Sequence, residues 1–197
     1  MAFSVTLQNH SFTFDSVKQV LACANEKKSG DTLAGIAARS DLERVAAKRV
    51  LADMPLSLLR ENPVVPYETD EVTRLDQDGV SKPIYDEIKG MCVGEMREHL
   101  LSYDTTEADI RRLSRGMTAE MVAALAKLMG NLDLIYCANK VRVTAHCNTT
   151  IGLRGTLATR LQPNHPSDDV EGITASLFEG LSYGCGDALI GLNPVRD

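Results

Sequence analysis

The chain carries the run Arg160-Leu161-Gln162-Pro163-Asn164-His165-Pro166-Ser167-Asp168-Asp169, and further along it carries Gly191-Leu192-Asn193-Pro194. Each run places an Arg or uncharged amide side chains at the end of an apolar, strand-like stretch, over 156–162 and 187–193. The segment between them has helical spacing to about residue 183, with Ser167 or Asp168 as its expected cap. A strand, a helix and a second strand form a βαβ unit, which favours a parallel sheet. This layout is typical of a β/α-barrel, in which the strand ends carry the chemistry.

One βαβ unit supplies only two of the eight strands of a TIM barrel, which takes about 250 residues. We therefore expect an α/β chain with two domains. Residues 1–140 form a mainly α-helical N-terminal domain, and residues 141–197 form the beginning of a TIM-barrel catalytic domain that is incomplete in this chain. If the barrel starts near residue 155, the complete protein should exceed about 400 residues.

The N-terminal part reads mostly as short helices. Alternating apolar residues over 3–14 predict a strand or hairpin, and a helix that starts near Asp15 is expected to end at Gly30. Ser40 with Glu43 is a capping-box pattern. Further helices are expected near 70–77, 83–89, 93–102 and 107–115, with a loop over 60–67. One long helix over 118–139 is expected to bury an apolar stripe made of Met121, Leu125, Leu128, Leu132 and Ile135.

Bulk composition excludes several classes of protein. The chain is 44% hydrophobic and 24% charged, which is ordinary for a folded globular domain. A net charge of -6 and the lack of a dense Lys/Arg stripe argue against nucleic-acid binding. No apolar run is long enough to span a bilayer. Five scattered cysteines without a Cys-x-x-Cys pair predict reduced thiols and no metal site.

Arg160, Gln162 and Asn193 are the candidate binding residues. Alternation along a strand puts Arg160 and Gln162 on the same side. A guanidinium and amides suit the oxygen and nitrogen groups of a small polar substrate. A second interpretation stays equally open, in which Arg160 pairs with a surface carboxylate while Gln162 and Asn193 cap turns. His165 is flanked by prolines and is expected to shape the loop and not to act as an acid or base.

Several long runs, in the right order, resemble the family of ethanolamine ammonia-lyase large subunits. They are residues 29–38, residues 59–68, residues 131–136, and the stretch from Cys147-Asn148-Thr149-Thr150-Ile151-Gly152 to Asn193-Pro194. The resemblance spans nearly the whole chain and is far more specific than one short motif. One departure is Arg154, which stands where a Pro or a small loop residue is expected before Gly155.

The resemblance implies an adenosylcobalamin-dependent radical lyase that converts ethanolamine to acetaldehyde and ammonia. It implies substrate contacts at Arg160, Leu161, Gln162 and Asn193, and a position beside the cobalamin at Pro194. No residue of this chain is assigned a catalytic role. The implied partners are the small subunit of the lyase and further large subunits. The implied location is the cytoplasm, with a bacterial microcompartment as a further option.

The carboxylates that would bind the substrate ammonium in this family lie further along than Asp197. We therefore expect the 197-residue piece to be inactive alone. An alternative is a non-catalytic truncated product, or an assembly module that contacts other lyase subunits. A barrel enzyme for a sugar phosphate is weakly supported, because no phosphate-binding glycine loop is visible.

Overall fold

The computed structural model of the chain describes residues 2–146 and 148–189. The chain divides into two compact units, residues 1–141 (unit 1) and residues 142–197 (unit 2). Over the described residues the fold is helix-rich α/β with a few short strands and without a closed barrel. No helix in the described part of the chain is both long enough and apolar enough to cross a membrane.

Unit 1 opens with the predicted hairpin. Strand β1 (Phe3–Leu7) pairs antiparallel with β2 (His10–Phe14). The two connecting residues, Gln8 and Asn9, have φ values of 47° and 64°. Positive φ at both central residues is the signature of the tight turn whose twist matches that of the two strands. The hairpin ends at Phe14, which is fully buried in the core of unit 1.

The rest of unit 1 consists of helices, and those predicted near 70–77, 83–89, 93–102 and 107–115 lie within two residues of their predicted bounds. The helix predicted to end at Gly30 is wrong, because α1 (Val17–Cys23) ends at Cys23 and Gly30 lies inside the next helix, α2 (Ser29–Leu33). The predicted loop over 60–67 starts later, at Asn62, because α4 (Leu56–Glu61) runs through Glu61. The helices of unit 1 are α1 (Val17–Cys23), α2 (Ser29–Leu33), α3 (Asp41–Ala52), α4 (Leu56–Glu61), α5 (Glu71–Asp78), α6 (Lys82–Ile88), α7 (Val93–Leu101), α8 (Glu107–Ser114), α9 (Ala119–Leu128) and α10 (Asn131–Lys140).

Polar caps fix several of these helix starts. The Ser40 hydroxyl accepts the Glu43 backbone N–H at 3.1 Å, while the Glu43 carboxylate reaches back to the N–H of Arg39 at 2.5 Å. At α8, Thr106 and Asp109 form a full reciprocal box, with N–H to oxygen distances of 3.3 and 2.9 Å. The Ser40 and Thr106 hydroxyls each satisfy a backbone N–H of the first helical turn that would otherwise lack a partner.

The core of unit 1 lies between α1, α3, α4, α7, α9 and the hairpin. Its largest fully buried apolar side chains are Phe14, Leu51, Leu56, Leu59, Met96, Met121, Val20 and Val93. One place is packed so closely that only glycine fits. A Cβ on Gly116 would lie 2.7 Å from Ile84 Cγ2 and 2.9 Å from the Tyr85 backbone nitrogen. This contact brings the end of α8 directly onto α6.

The single helix predicted over 118–139 is wrong, because the chain forms α9 and α10 with a break between them. Met129 is extended (φ -92°, ψ 136°), and Gly130 is the N-cap of α10. Glycine is a poor residue for a helix interior, and the Asp133 carboxylate accepts the Gly130 N–H at 3.1 Å. The apolar stripe is divided accordingly: Leu125 is 3% exposed, whereas Leu132 is 81% exposed.

Helix α10 is attached to α7 by polar contacts near both of its ends. In its first turn, Asp133 accepts from Arg97 Nη2 at 2.5 Å. The Arg97 guanidinium is the leading cause of the lowered pKa of Asp133. In its last turn, Lys140 Nζ donates to the carbonyls of Leu100 (3.0 Å) and Ser102. Along its length α10 exposes Leu132, Leu134, Ile135 and Tyr136.

Unit 2 contains a small hairpin and one βαβ unit. Strands β3 (Ala145–His146) and β4 (Thr150–Ile151) pair antiparallel. Strand β5 (Arg160–Leu161), helix α11 (Val170–Ser182) and strand β6 (Asp187–Ala188) follow in order, and β5 pairs with β6 in parallel. The predicted βαβ unit with parallel strands is therefore present over the described residues.

Candidate substrate site on a parallel strand pair

The β5–β6 ladder is shorter than predicted. Arg160 pairs with Asp187 and Leu161 with Ala188, and the Leu189 N–H extends the ladder to the Leu161 carbonyl at 2.8 Å. The expected strand over 156–162 is wrong for residues 156–159, which lie outside any strand and are exposed. No neighbouring strand pairs with this stretch among the described residues, so its backbone has no ladder to join.

Arg160 and Gln162 lie together at the end of β5. Arg160 Nη2 donates to Gln162 Oε1 at 3.2 Å, and both side chains are exposed. They therefore share one side of the strand, as alternation predicts. The contact presents guanidinium N–H donors beside an amide that both donates and accepts, a combination that can hold a small molecule with hydroxyl and amine groups.

Leu161 points to the other side of β5 and contacts the helix. A Cβ built on Gly180 of α11 would collide with the Leu161 side chain. Gly180 is buried, and its missing side chain lets helix and strand approach each other. The Leu161 side chain thus fixes β5 against α11, and its contact with substrate remains a prediction.

The loop from Pro163 to Asp169 connects β5 to α11. Pro163 is buried, and His165 Nδ1 accepts the Ser167 N–H at 3.3 Å. The prediction that Ser167 or Asp168 caps the helix is wrong. Asp169 is the cap, because its carboxylate accepts the Gly172 N–H at 2.7 Å, whereas Asp168 has a φ of 54°. His165 thus contacts the loop itself, as its proline flanks predict.

Asp187, at the start of β6, is a residue that the sequence analysis missed. It is the one buried carboxylate among the described residues, at 7% exposure. Its oxygens accept the backbone N–H of Asn148 at 2.8 Å and that of Thr149 at 3.2 Å, together with the Thr149 hydroxyl. The sequence signal that could have identified Asp187 is an acid at the start of an otherwise apolar strand. A carboxylate in such a strand is expected to be buried only where hydrogen-bond donors surround it.

The remaining predicted positions, Asn193 and Pro194, lie outside the described residues. Within 2–146 and 148–189, no three His, Cys, Asp or Glu side chains are arranged to hold a metal ion. The described part of the candidate site therefore consists of Arg160 and Gln162, the Leu161 contact with α11, and Asp187 at the start of β6.

Comparison with known proteins identifies the family. A family model described as "Ethanolamine ammonia lyase large subunit (EutB)" matches residues 12–197. The chain belongs to the ethanolamine ammonia-lyase large-subunit family. The protein named ethanolamine ammonia-lyase large subunit of Escherichia coli (strain K12) is 52% identical over all 197 residues, and its counterpart of Salmonella typhimurium (strain LT2) is 51% identical.

The family resemblance expected from the sequence is thus confirmed. The match to the two lyase subunits covers 100% of this chain and 44% of each relative. The chain therefore spans less than half the length of the lyase large subunits that it matches. It contains the region that carries Arg160, Gln162 and Asn193.

Proposed function

We propose that this chain is part of the large subunit of an adenosylcobalamin-dependent radical lyase that converts ethanolamine to acetaldehyde and ammonia. In this role Arg160, Leu161, Gln162 and Asn193 contact the substrate. The observation that carries the proposal is the Arg160–Gln162 pair beside a parallel strand pair, in a chain 52% identical to a lyase large subunit. Neither the Arg160 side chain nor the Gln162 side chain alone would indicate ethanolamine as the substrate.

The β5–α11–β6 unit is proposed to be the beginning of a (β/α)8 barrel. Its strands are parallel, its connection is a helix, and the polar pair lies where β5 ends. Barrel enzymes place their active sites at the ends of the strands that lead into such helices. In this arrangement Gln162 lies at the barrel mouth.

The protein's own groups are proposed to bind and orient the substrate. The Arg160 guanidinium and the Gln162 amide can donate to the ethanolamine hydroxyl oxygen, and the Gln162 carbonyl can accept from the substrate. Adenosylcobalamin, when bound, supplies the radical that removes hydrogen. A guanidinium and an amide are chemically suited to a site next to such a group, since they hold a polar substrate without being easily oxidised. Pro194 is the position proposed to lie beside the cofactor.

The test uses a polypeptide that carries this sequence at the full length of its relatives, assembled with the small subunit. We expect ammonia release from ethanolamine in the presence of adenosylcobalamin. Arg160→Ala should lower kcat/KM by about a hundredfold or more, as loss of a charged donor does at other preorganised sites. Arg154→Ala is the matched control in an exposed turn of the same unit, and it should change kcat/KM less than twofold.

The 197-residue chain alone is proposed to be inactive, because the carboxylates that the resemblance assigns to the substrate ammonium are not among its residues. Ammonia release by this chain with ethanolamine and adenosylcobalamin would contradict that part of the proposal. The proposed partners are the small subunit and further large subunits, in the cytoplasm or inside a bacterial microcompartment.

A second candidate function is assembly without catalysis. The observation in its favour is the row of exposed apolar side chains on α10. The two functions differ in their response to cofactor. A ligand that binds the folded state raises its stability. If adenosylcobalamin leaves the melting temperature of the full-length protein unchanged, that result supports the assembly function and contradicts the lyase function.

A further inference from the structure

Asp187 joins two parts of unit 2 that are far apart in sequence. It lies at the head of β6, yet its carboxylate is filled by donors from Asn148 and Thr149, in the loop between β3 and β4. The Asn148 side chain adds a bond from Nδ2 to the Gly186 carbonyl at 3.0 Å. A Cβ on Gly186 would collide with the Thr149 side chain, so the loop can approach β6 this closely because residue 186 has no side chain.

These contacts matter because the β5–β6 ladder itself is short. It has two paired residues per strand, Arg160 with Asp187 and Leu161 with Ala188. So short a ladder fixes its own register weakly. A slip of β6 by one residue along β5 would turn the β6 side chains to the opposite faces and would place another residue beside Arg160. The residue opposite Arg160 in this register is Asp187, the residue held by the loop.

We propose that Asp187 is a positioning residue that fixes the register of β6 against β5 and so sets the strand that lies beside Arg160 and Gln162 at the substrate site. The proposal rests on the proposed lyase function of that pair. A carboxylate suits the role because it only accepts hydrogen bonds, and every group that faces it from Asn148 and Thr149 is a donor. An amide in its place would direct an NH2 group at one of those donors.

The first measurement is steady-state kinetics on ethanolamine with the full-length large subunit, the small subunit and adenosylcobalamin. We expect Asp187→Asn to lower kcat/KM at least tenfold. Asp169→Asn is the matched control, because it makes the same change in charge within unit 2 and asparagine caps a helix as well as aspartate does. The control should stay within twofold of wild type.

A double-mutant cycle separates positioning from a general loss of folding. In an Arg160→Ala background, Asp187→Asn should cost less than twofold, because the group that it positions is already absent. Equal losses in both backgrounds would overturn the proposal, and so would an unchanged kcat/KM in the single variant. Thr149→Val removes one donor and leaves the carboxylate, so it should show the same dependence on Arg160 even if Asp187→Asn folds poorly.

Amide hydrogen exchange gives a readout that does not depend on the lyase reaction. The N–H groups of Asn148 and Thr149 should exchange faster in Asp187→Asn than in wild type. Unchanged exchange rates would overturn the proposal that the Asp187 carboxylate holds this loop. An inactive wild-type complex would instead refute the proposed function, and the positioning role would fall with it. The two failures are distinguishable because only the second appears in the wild type.

Discussion

The divided apolar stripe on α9 and α10 leads to a quantitative prediction. Leu125 and Leu132 were expected to lie on one buried face of one helix. The structure buries Leu125 to 3% exposure and leaves Leu132 at 81%. We expect Leu125→Ala to lower the free energy of unfolding by about 3 kcal/mol, within the usual range of about 2–5 for a leucine truncated in a packed core. Leu132→Ala should change it by less than about 0.5 kcal/mol, as exposed substitutions do.

The assay is thermal unfolding of the 197-residue chain, followed by circular dichroism at 222 nm because the chain has no Trp. For a chain of this size about 3 kcal/mol corresponds to a fall in Tm of roughly 6–12 °C. Leu132→Ala should leave the Tm within about 2 °C of wild type. The two variants delete the same atoms from neighbouring helices, so each controls for the other. Equal losses would refute the reasoning, because they would require Leu132 to be buried like Leu125.

Three further stability predictions concern unit 1, each measured as a change in the free energy of unfolding in urea. Gly116→Ala should cost about 1–3 kcal/mol by overpacking, while Gly90→Ala, with no neighbouring atom within 4 Å of its new Cβ, should stay within about 0.5. Burial raises the pKa of the Glu120 carboxyl above 4.5, although its bond from the Val64 N–H opposes the shift. The folded state then holds the proton more tightly than the unfolded state, so stability falls as pH rises through the range above 4.5. The free energy of unfolding of Glu120→Gln should therefore rise relative to that of wild type between pH 4 and pH 7. Thr106→Ala should cost about 1 kcal/mol, because it removes the hydroxyl that caps α8.

Local patterns in the sequence predicted much of unit 1. Alternation predicted the hairpin, and the Ser40–Glu43 pattern predicted the start of α3. The break at Gly130 could not be seen in the periodicity, because α9 and α10 each keep helical spacing and only the Asp133 cap interrupts them. The helix end expected at Gly30 is wrong because a glycine does not always end a helix. Gly30 lies in the first turn of the short helix α2.

In unit 2 the sequence predicted the order of elements better than their lengths. The parallel pairing of β5 with β6 and the Arg160–Gln162 contact follow from spacing. The exact extent of β5 depends on neighbouring strands that pair with it, which a local pattern does not show. The role of Asp187 depends on donors in a loop 38 residues earlier in the chain, which only folding brings to it.

The way in which α10 is attached has a consequence for its dynamics. Asp133 and Lys140 hold it near its two ends, while much of its apolar side chain area faces water. A helix held by charge-assisted bonds near its ends and by few buried groups between them opens at a lower free energy than the core does. We expect its amides to exchange first among the long helices of unit 1, and added salt to speed that opening by screening the Arg97–Asp133 pair. Helix α10 would then be a separate foldon at the edge of unit 1, able to leave and return while the core stays closed.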